Sequence, residues 1–258
     1  MTGREQIENG VGDRVVAVTG ASQGLGHVLA EAFAAAGARV ALLARSETAL
    51  KLLADEITTR GGRALAVPCD ITDGEGMTEA FGTIAAAWGG VDSVVANAGI
   101  SPIVRRGQNV PAETWTRILT VNLTGSFLTA QAAYPYLAAS GRGRFVANTS
   151  VMARRPRPGL SAYAASKAGL EGLTKALAVD WAPDGICVNA VAPGFFDSPL
   201  AAGLRSDERR EREITDHTLL RRWGHHDDLP GAFLFLASDA ASYLTGQVLT
   251  VDGGYELS

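Results

Sequence analysis

Cysteine is nearly absent: Cys69 and Cys187 are the only two in 258 residues. They fall on separate predicted strands, which excludes a disulfide framework and gives no metal-ligand spacing. A reducing cytoplasm is the simplest setting for such a chain. Long apolar runs are missing as well. Each hydrophobic stretch is broken by Gly, Asp or Arg before it reaches the roughly 20 residues of a bilayer span. Met1 to Asp13 is polar, with no apolar core of a signal peptide, and reads as a loose arm. There is no excess of positive charge either. With 23 Lys and Arg against 27 Asp and Glu, the net charge is −4. Nothing therefore draws the chain as a whole to nucleic acid or to an anionic membrane.

What is present is an apolar fraction of 47% beside 19% charged residues, the balance of a globular enzyme-like body. No repeat, low-complexity linker or domain boundary interrupts it, so a single domain over 14–258 is expected after an arm over 1–13. Arg14 to Thr19 reads as a buried strand, and Leu25, Leu29 and Phe33 follow at helical spacing until Gly37. Ala38 to Ala44 is a second strand, Leu50, Leu53 and Ile57 mark a second helix, and Ala64 to Val67 is a third strand. Thr72-x-x-Glu75 has the form of a capping box. Asp92 to Ala96, Arg144 to Asn148, Ile186 to Val191 and Val248 to Val251 complete the strands. A long helix is predicted from about Ala112 to Leu137, and another carries Tyr163. Alternating units of this kind predict an α/β, Rossmann-type, doubly wound parallel sheet of about seven strands with helices on both faces. Its ligand is expected at the carboxyl ends of the strands.

Directly after the first strand stands Thr19-Gly20-Ala21-Ser22-Gln23-Gly24-Leu25-Gly26. Gly20, Gly24 and Gly26 let the backbone approach a phosphate at a helix N-terminus, and Ser22, Gln23 and Leu25 lie in the same turn. At the end of the second strand an acid would bind a ribose 2′-hydroxyl and a base a 2′-phosphate. Here the residues are Ala44-Arg45-Ser46. Without an acid, and with an Arg able to fork onto phosphate, NADP(H) is favoured over NAD(H). Asp70 would place a carboxylate near an adenine amino group, with Ile71 packing on the ring. Asn97-Ala98-Gly99 would hold ribose or buttress neighbouring backbone. Asn122 is out of place in mid-helix, which points to a task beyond helix formation. Ser150, ending the fifth strand, is placed either to bond a substrate oxygen or to cap a turn. Tyr163 and Lys167, four apart on one helical face, form a proton-transfer pair in which the ammonium would favour phenolate and lower a pKa that is ordinarily about 10.

In order and spacing, Thr19-Gly20-x-x-x-Gly24-x-Gly26, Asn97-Ala98-Gly99, Asn122, Ser150, Tyr163-x-x-x-Lys167 and Pro193-Gly194 resemble the short-chain dehydrogenase/reductase family, over about residues 14 to 254. The resemblance implies a nicotinamide-dependent oxidoreductase acting on a small-molecule alcohol or ketone. Tyr163 would be the general acid or base, and Ser150 would orient the reacting oxygen. Lys167 would bind the nicotinamide ribose and lower the Tyr163 pKa, while Asn122 would hold a proton-relay water. Pro193, Gly194, Phe196 and Ser198 fall in the segment that meets the nicotinamide carboxamide, Ser198 standing where Thr is common. Ala96 stands where the family often has a further Asn, which removes one accessory contact. The family also implies a homotetramer paired through the long helix and the Tyr163 helix.

Residues 195–222 are expected to form the substrate loop. Phe195-Phe196-Asp197-Ser198-Pro199-Leu200 and Arg222-Trp223-Gly224 resemble the gluconate 5-dehydrogenase-like branch. Arg105 and Arg106, with Arg154, Arg155 and Arg157, make two loops near the expected pocket basic, so an anionic or polyhydroxylated substrate is expected. His225-His226-Asp227-Asp228 reads as an exposed helix start, since adjacent side chains diverge, and no metal is expected. A non-catalytic nucleotide-binding redox sensor or scaffold is the alternative function. It would show erosion of Ser150, Tyr163 or Lys167, and all are present.

Overall fold

The computed structural model describes residues 10–100, 105–197 and 207–258. Among them the chain builds one sheet of seven strands in the order β3-β2-β1-β4-β5-β6-β7, every neighbouring pair parallel. The strands are β1 Val15–Thr19, β2 Arg39–Ala44, β3 Arg63–Pro68, β4 Ser93–Ala96, β5 Arg144–Asn148, β6 Cys187–Pro193 and β7 Val248–Val251. Between them run α1 Gly24–Ala35, α2 Glu47–Thr59, α3 Gly74–Trp88, α4 Ala112–Leu119, α5 Gly125–Ser140, α6 Ser161–Trp181, α7 Glu208–His217 and α8 Pro230–Ala237. The winding reverses between β1 and β4, which opens a crevice at their carboxyl ends.

Strands covered on both faces lose the polar alternation of a half-exposed strand, and β1 and β6 are buried at every residue. Side chains alternate between two cores. Val15 and Ala17 face Met77, Phe81, Ile84, Leu137, Leu170 and Trp181, from α3, α5 and α6. Val16 and Val18 face Leu29, Phe33, Leu50, Leu53, Phe233 and Leu236, from α1, α2 and α8.

At the opposite end of the sheet, helices finish where strands begin, leaving carbonyls without helical partners. Arginines at or near the strand starts answer them. Arg39 Nη1 donates to Trp88 O at 3.1 Å and Arg63 Nη2 to Gly37 O at 2.9 Å. Arg14 is fully buried, yet its guanidinium donates to Gly10 O and Arg142 O at 3.0 Å each and pairs with Asp239. Such complete pairing is what makes a charge tolerable in a core.

Three expectations are corrected. Val11 is fully buried, so the packed body already includes residues assigned to the arm; residues 1–9 lie outside the described ones. The cap of α3 is Asp73, not Thr72. Asp73 Oδ1 accepts from Gly76 N at 3.1 Å, whereas Thr72 Oγ1 turns back to donate to Asp70 at 2.8 Å. The long helix is not one α-helix, because a π turn at Thr120–Thr124 separates α4 from α5. Trp181 lies in the core, edge-on to Phe145 at 6.0 Å, and Trp115 is exposed. Asp73→Ala is expected to lower the free energy of unfolding by about 1 kcal/mol, and Thr72→Ala by less, in urea denaturation of the two variants beside the parent.

Candidate active site

The glycine loop is shaped by contacts that leave no room for side chains. Gly20 has φ +69°, and a Cβ there would lie 2.9 Å from Ala98 Cα. At Gly26 a Cβ would lie 2.2 Å from Gly20 O and 2.5 Å from Asn97 Nδ2, so only glycine lets α1 settle onto the loop. Gln23 at the N-cap makes no side-chain cap, and the first turn of α1 carries no acid. Its amides are therefore left to an anion, at the positive end of a twelve-residue helix. Half-buried Ser22 and Leu25 flank this opening. The loop fits a dinucleotide pyrophosphate.

A chain of amides leads from this loop to the other end of the site. Thr19 Oγ1 accepts from Asn97 N and Ala98 N, both at 3.0 Å. Asn97 Nδ2 donates to Thr19 O at 2.9 Å, Asn148 Nδ2 donates to Asn97 Oδ1 at 2.8 Å, and Lys167 Nζ donates to Asn148 O at 2.6 Å. Asn97 thus takes the buttressing role. Asn148 was not singled out from the sequence, although a polar residue closing a buried strand was a signal for it. It is 7% exposed, and its Oδ1 is buried without a hydrogen-bond partner among the described residues, an acceptor ready for a ligand or water donor.

Ser150 leaves β5 in extended conformation and caps the turn that follows. Its Oγ accepts from Met152 N at 3.2 Å, and its hydroxyl lies beside the Tyr163 phenol. Tyr163 and Lys167 come from the first turns of α6, and Lys167 is 4% exposed. The Lys167 Nζ lies 5.7 Å from the centre of the Tyr163 ring. The expected lowering of the Tyr163 pKa does not appear in the protein alone. Burial raises it, because phenolate loses its water, and the nearby Ser150 hydroxyl only partly opposes this. Burial also brings Lys167 down to about 8. Its bond to Asn148 O leaves two ammonium hydrogens for other partners.

Asn122 sits at the centre of the π turn, fully buried. Its Oδ1 accepts from Ile100 N at 2.8 Å, and its Nδ2 donates to Ile100 O at 2.9 Å and to Ser166 Oγ at 3.0 Å. Both side-chain donors are thus committed to positioning. Ser166 completes this link by donating to Tyr163 O at 2.7 Å. Gly99 passes close by, and a Cβ there would lie 3.3 Å from Asn122 Oδ1 and 3.6 Å from Lys167 Nζ.

At the adenosine end, Arg45 is exposed and Ser46 caps α2, its side chain accepting from Ala49 N at 3.4 Å. Asp70 accepts from Thr72 N and Thr72 Oγ1, which hold its carboxyl below the usual range, with a smaller contribution from the charge of Arg45. Ile71 differs from expectation. Its side chain turns into the core against Gly125, where a Cβ would lie 2.7 Å from Ile71 Cδ1, so no broad apolar face is offered to a ring. At the other end, Pro193 closes β6, and Gly194 passes so near Asp252 that a Cβ would lie 2.7 Å from its Cα. Phe196 is also corrected. Its side chain is 5% exposed in the core against Gly224, and only its backbone, bridged to Gly224, is left for a ligand. Ser198 and residues 199–206 of the expected substrate loop lie outside the described residues.

His225 and Asp228 build a turn, in which Asp228 accepts from His225 N at 2.8 Å and pairs with Arg222. Among the described residues His27, Glu31 and Glu56 approach metal-ligand spacing, and Arg60 pairs with Glu31 there.

With the geometry in place, comparisons with known proteins decide the family. A family model described as Enoyl-(Acyl carrier protein) reductase matches residues 20–256. Cis-4-hydroxycyclohexanecarboxylate dehydrogenase of Sinomonas cyclohexanicum is 37% identical, over 94% of this chain and 96% of that protein. The chain belongs to the short-chain dehydrogenase/reductase family. Its curated relatives are dehydrogenases and reductases acting on CH–OH groups, and its solved relatives include NADP-bound ones. Sorbose reductase of Schizosaccharomyces pombe is 39% identical, over 92% of this chain and 94% of that protein. The solved gluconate 5-dehydrogenase of Burkholderia cenocepacia, in complex with NADP and tartrate, is 33% identical with a TM-score of 0.94, covering 98% and 99% of the two chains. The resemblance to the gluconate 5-dehydrogenase-like branch stands with it.

The depressed Lys167 pKa fixes a sign. Below about 8 the lysine is protonated in folded and unfolded chains alike, and burial of its charge opposes folding. Between about 8 and the ordinary 10.5 the unfolded chain binds the extra proton, so folding gains stability as pH rises. Relative to Lys167→Met, the parent should therefore grow more stable across this window in denaturant titrations.

Proposed function

We propose that this chain is an NADP(H)-dependent oxidoreductase that interconverts a secondary alcohol and a ketone, its substrate a sugar acid or other polyol or anionic carbonyl compound. The observation that carries this reading is the Ser150 hydroxyl beside the Tyr163 phenol, with buried Lys167 one turn on along α6, joined through Asn148 and Asn97 to an uncapped glycine loop. When bound, the nicotinamide supplies or takes the hydride. Gly20, Ser22, Gln23, Gly24, Leu25 and Gly26 would hold the pyrophosphate. Arg45 and Ser46 would hold the 2′-phosphate, and Asp70 the adenine end. Asn97, Ala98, Gly99, Pro193, Gly194 and Ser198 would line the remainder, with backbone contributions from Ile71 and Phe196.

In reduction, Tyr163 starts as the neutral phenol that burial favours and gives its proton to the ketone oxygen. Ser150 Oγ orients that oxygen. In oxidation Tyr163 takes the proton back. The phenolate formed on proton release is the state in which the Lys167 charge matters, since a cation nearby stabilises it. Asn122 contributes by fixing Ile100 and, through Ser166, the first turn of α6.

A cytoplasmic homotetramer is part of the proposal. Two free thiols, Cys69 and Cys187, support a reducing compartment, and among the described residues no helix is long and apolar enough to cross a membrane. Exposed Trp115, Phe127 and Val179, on the expected pairing helices, support subunit contact there.

Tyr163→Phe is expected to abolish turnover followed at 340 nm while NADPH fluorescence titration gives nearly the parent affinity; substantial residual turnover would exclude Tyr163 as the acid or base. Arg45→Asp is expected to lower kcat/KM with NADPH by about 10- to 100-fold, the worth of a hydrogen bond to a charged group, and to raise the relative use of NADH. An unchanged cofactor preference would remove Arg45 from the phosphate site.

A further inference from the structure

The three arginines between Ser150 and Tyr163 were expected to draw an anion, but two are occupied by the protein itself. Arg154 pairs with Glu171 at 3.1 Å and Glu256 at 3.3 Å. Arg155 donates to Tyr255 O and to Ser258 Oγ, and its guanidinium lies 4.6 Å from the centre of the Tyr255 ring. Arg157 is different. Its Nη2 pairs with Glu213 on α7 at 3.0 Å, while its Nη1 is buried and has no hydrogen-bond partner among the described residues. A buried donor left in this way is costly, so an acceptor from solvent or a ligand is called for.

The pair stands close to the chemistry. The Arg157 guanidinium lies 5.6 Å from the centre of the Phe195 ring. Phe195 and Tyr163 pack against the same small cluster of Val151, Met152 and Tyr255. One aromatic ring therefore separates Arg157 from the neighbourhood of the reacting phenol. The local charge is balanced, because Glu213 already faces Arg157. Exposed Arg105 and Arg106 add charge that water screens.

We propose, resting on the alcohol–ketone reading above, that the Arg157–Glu213 pair is a specificity-determining element for a neutral polyhydroxylated substrate, binding a hydroxyl beyond the reacting carbon. A hydroxyl is both acceptor and donor, so one group takes a hydrogen bond from Arg157 Nη1 and gives one to the Glu213 carboxylate. A substrate carboxylate only accepts and is repelled by Glu213. The pair thus selects a polyol or ketose over a sugar acid.

The test is steady-state oxidation with NADP+ of a panel of hexitols and pentitols, gluconate, and cyclohexanol, which has no second hydroxyl. For the parent, kcat/KM is expected to be higher for a neutral polyol than for gluconate. Arg157→Met is expected to lower the polyol-to-cyclohexanol ratio of kcat/KM by about 10- to 100-fold, as loss of one hydrogen bond to a charged group would, chiefly through KM. Glu213→Gln, on the half-exposed side of the pair, keeps the arginine and is expected to shift preference toward gluconate, which a purely structural role would not do. If Arg157→Met does not fold, as read by circular dichroism, the Glu213→Gln shift decides alone. A parent that prefers gluconate or cyclohexanol, or variants with unchanged ratios, would overturn the inference and leave the alcohol–ketone reading standing. Failure of the parent to oxidise any alcohol in the panel, or to reduce the matching ketones with NADPH, would overturn both.

Discussion

Lys167 is almost out of reach of water, and its ammonium is held by one carbonyl, that of Asn148, at 2.6 Å. A buried cation without such a partner would neutralise or force the site open. The bond fixes where α6 meets the end of β5, and through that junction it places Tyr163 against Ser150. The same Asn148 reaches across to Asn97, and Asn97 reaches Thr19 at the mouth of the glycine loop. The phosphate end and the proton-transfer end of the crevice are thus joined by short polar contacts between neighbouring strands. A shift at either end would have to break a buried hydrogen bond.

Charge is handled in a consistent way through the molecule. Arginines are numerous, but the protein consumes much of their charge. At the amino end of the sheet they close carbonyls left open by helix termini, and Arg14 is ringed by acceptors. Around the substrate side, Arg154 and Arg155 tie the turn after Ser150 to the C-terminal residues Tyr255, Glu256 and Ser258. These contacts make a wall rather than an anion trap. The basic residues that face solvent without an ion pair include Arg45, at the end of the crevice away from Tyr163.

The architecture was legible in the sequence because parallel strands covered on both faces must be continuous apolar runs, and glycines must mark the turns between them. The glycine loop and the Tyr163–Lys167 spacing were legible for a similar reason, since local geometry alone puts those groups together. What was not legible depends on contacts between distant segments. The inward turn of Ile71 is set by Gly125, and the burial of Phe196 by Gly224. Neither partner is near in sequence. How much charge the basic loops keep free was not legible, because charge can be counted in a sequence while its pairing with Glu171, Glu213 and Glu256 requires the fold. The upward shift at Tyr163 has the same origin, as burial outweighs a neighbour that spacing alone suggested would dominate. Asn122 was noticed as a misfit in a helix, but its π turn could not be seen from the amide alone.

That π turn has a consequence for chain length. A π turn carries one residue more than an α-helical turn of similar rise, so α4 and α5 are out of phase by a fraction of a turn although they follow one another directly. The faces of α4 that meet α6 and the faces of α5 that meet α3 are set independently by this offset. A chain one residue shorter between Thr120 and Thr124 would still satisfy a continuous helix, and would lose the register in which Asn122 meets Ile100. The number of residues in this stretch therefore acts as a functional parameter alongside their identity.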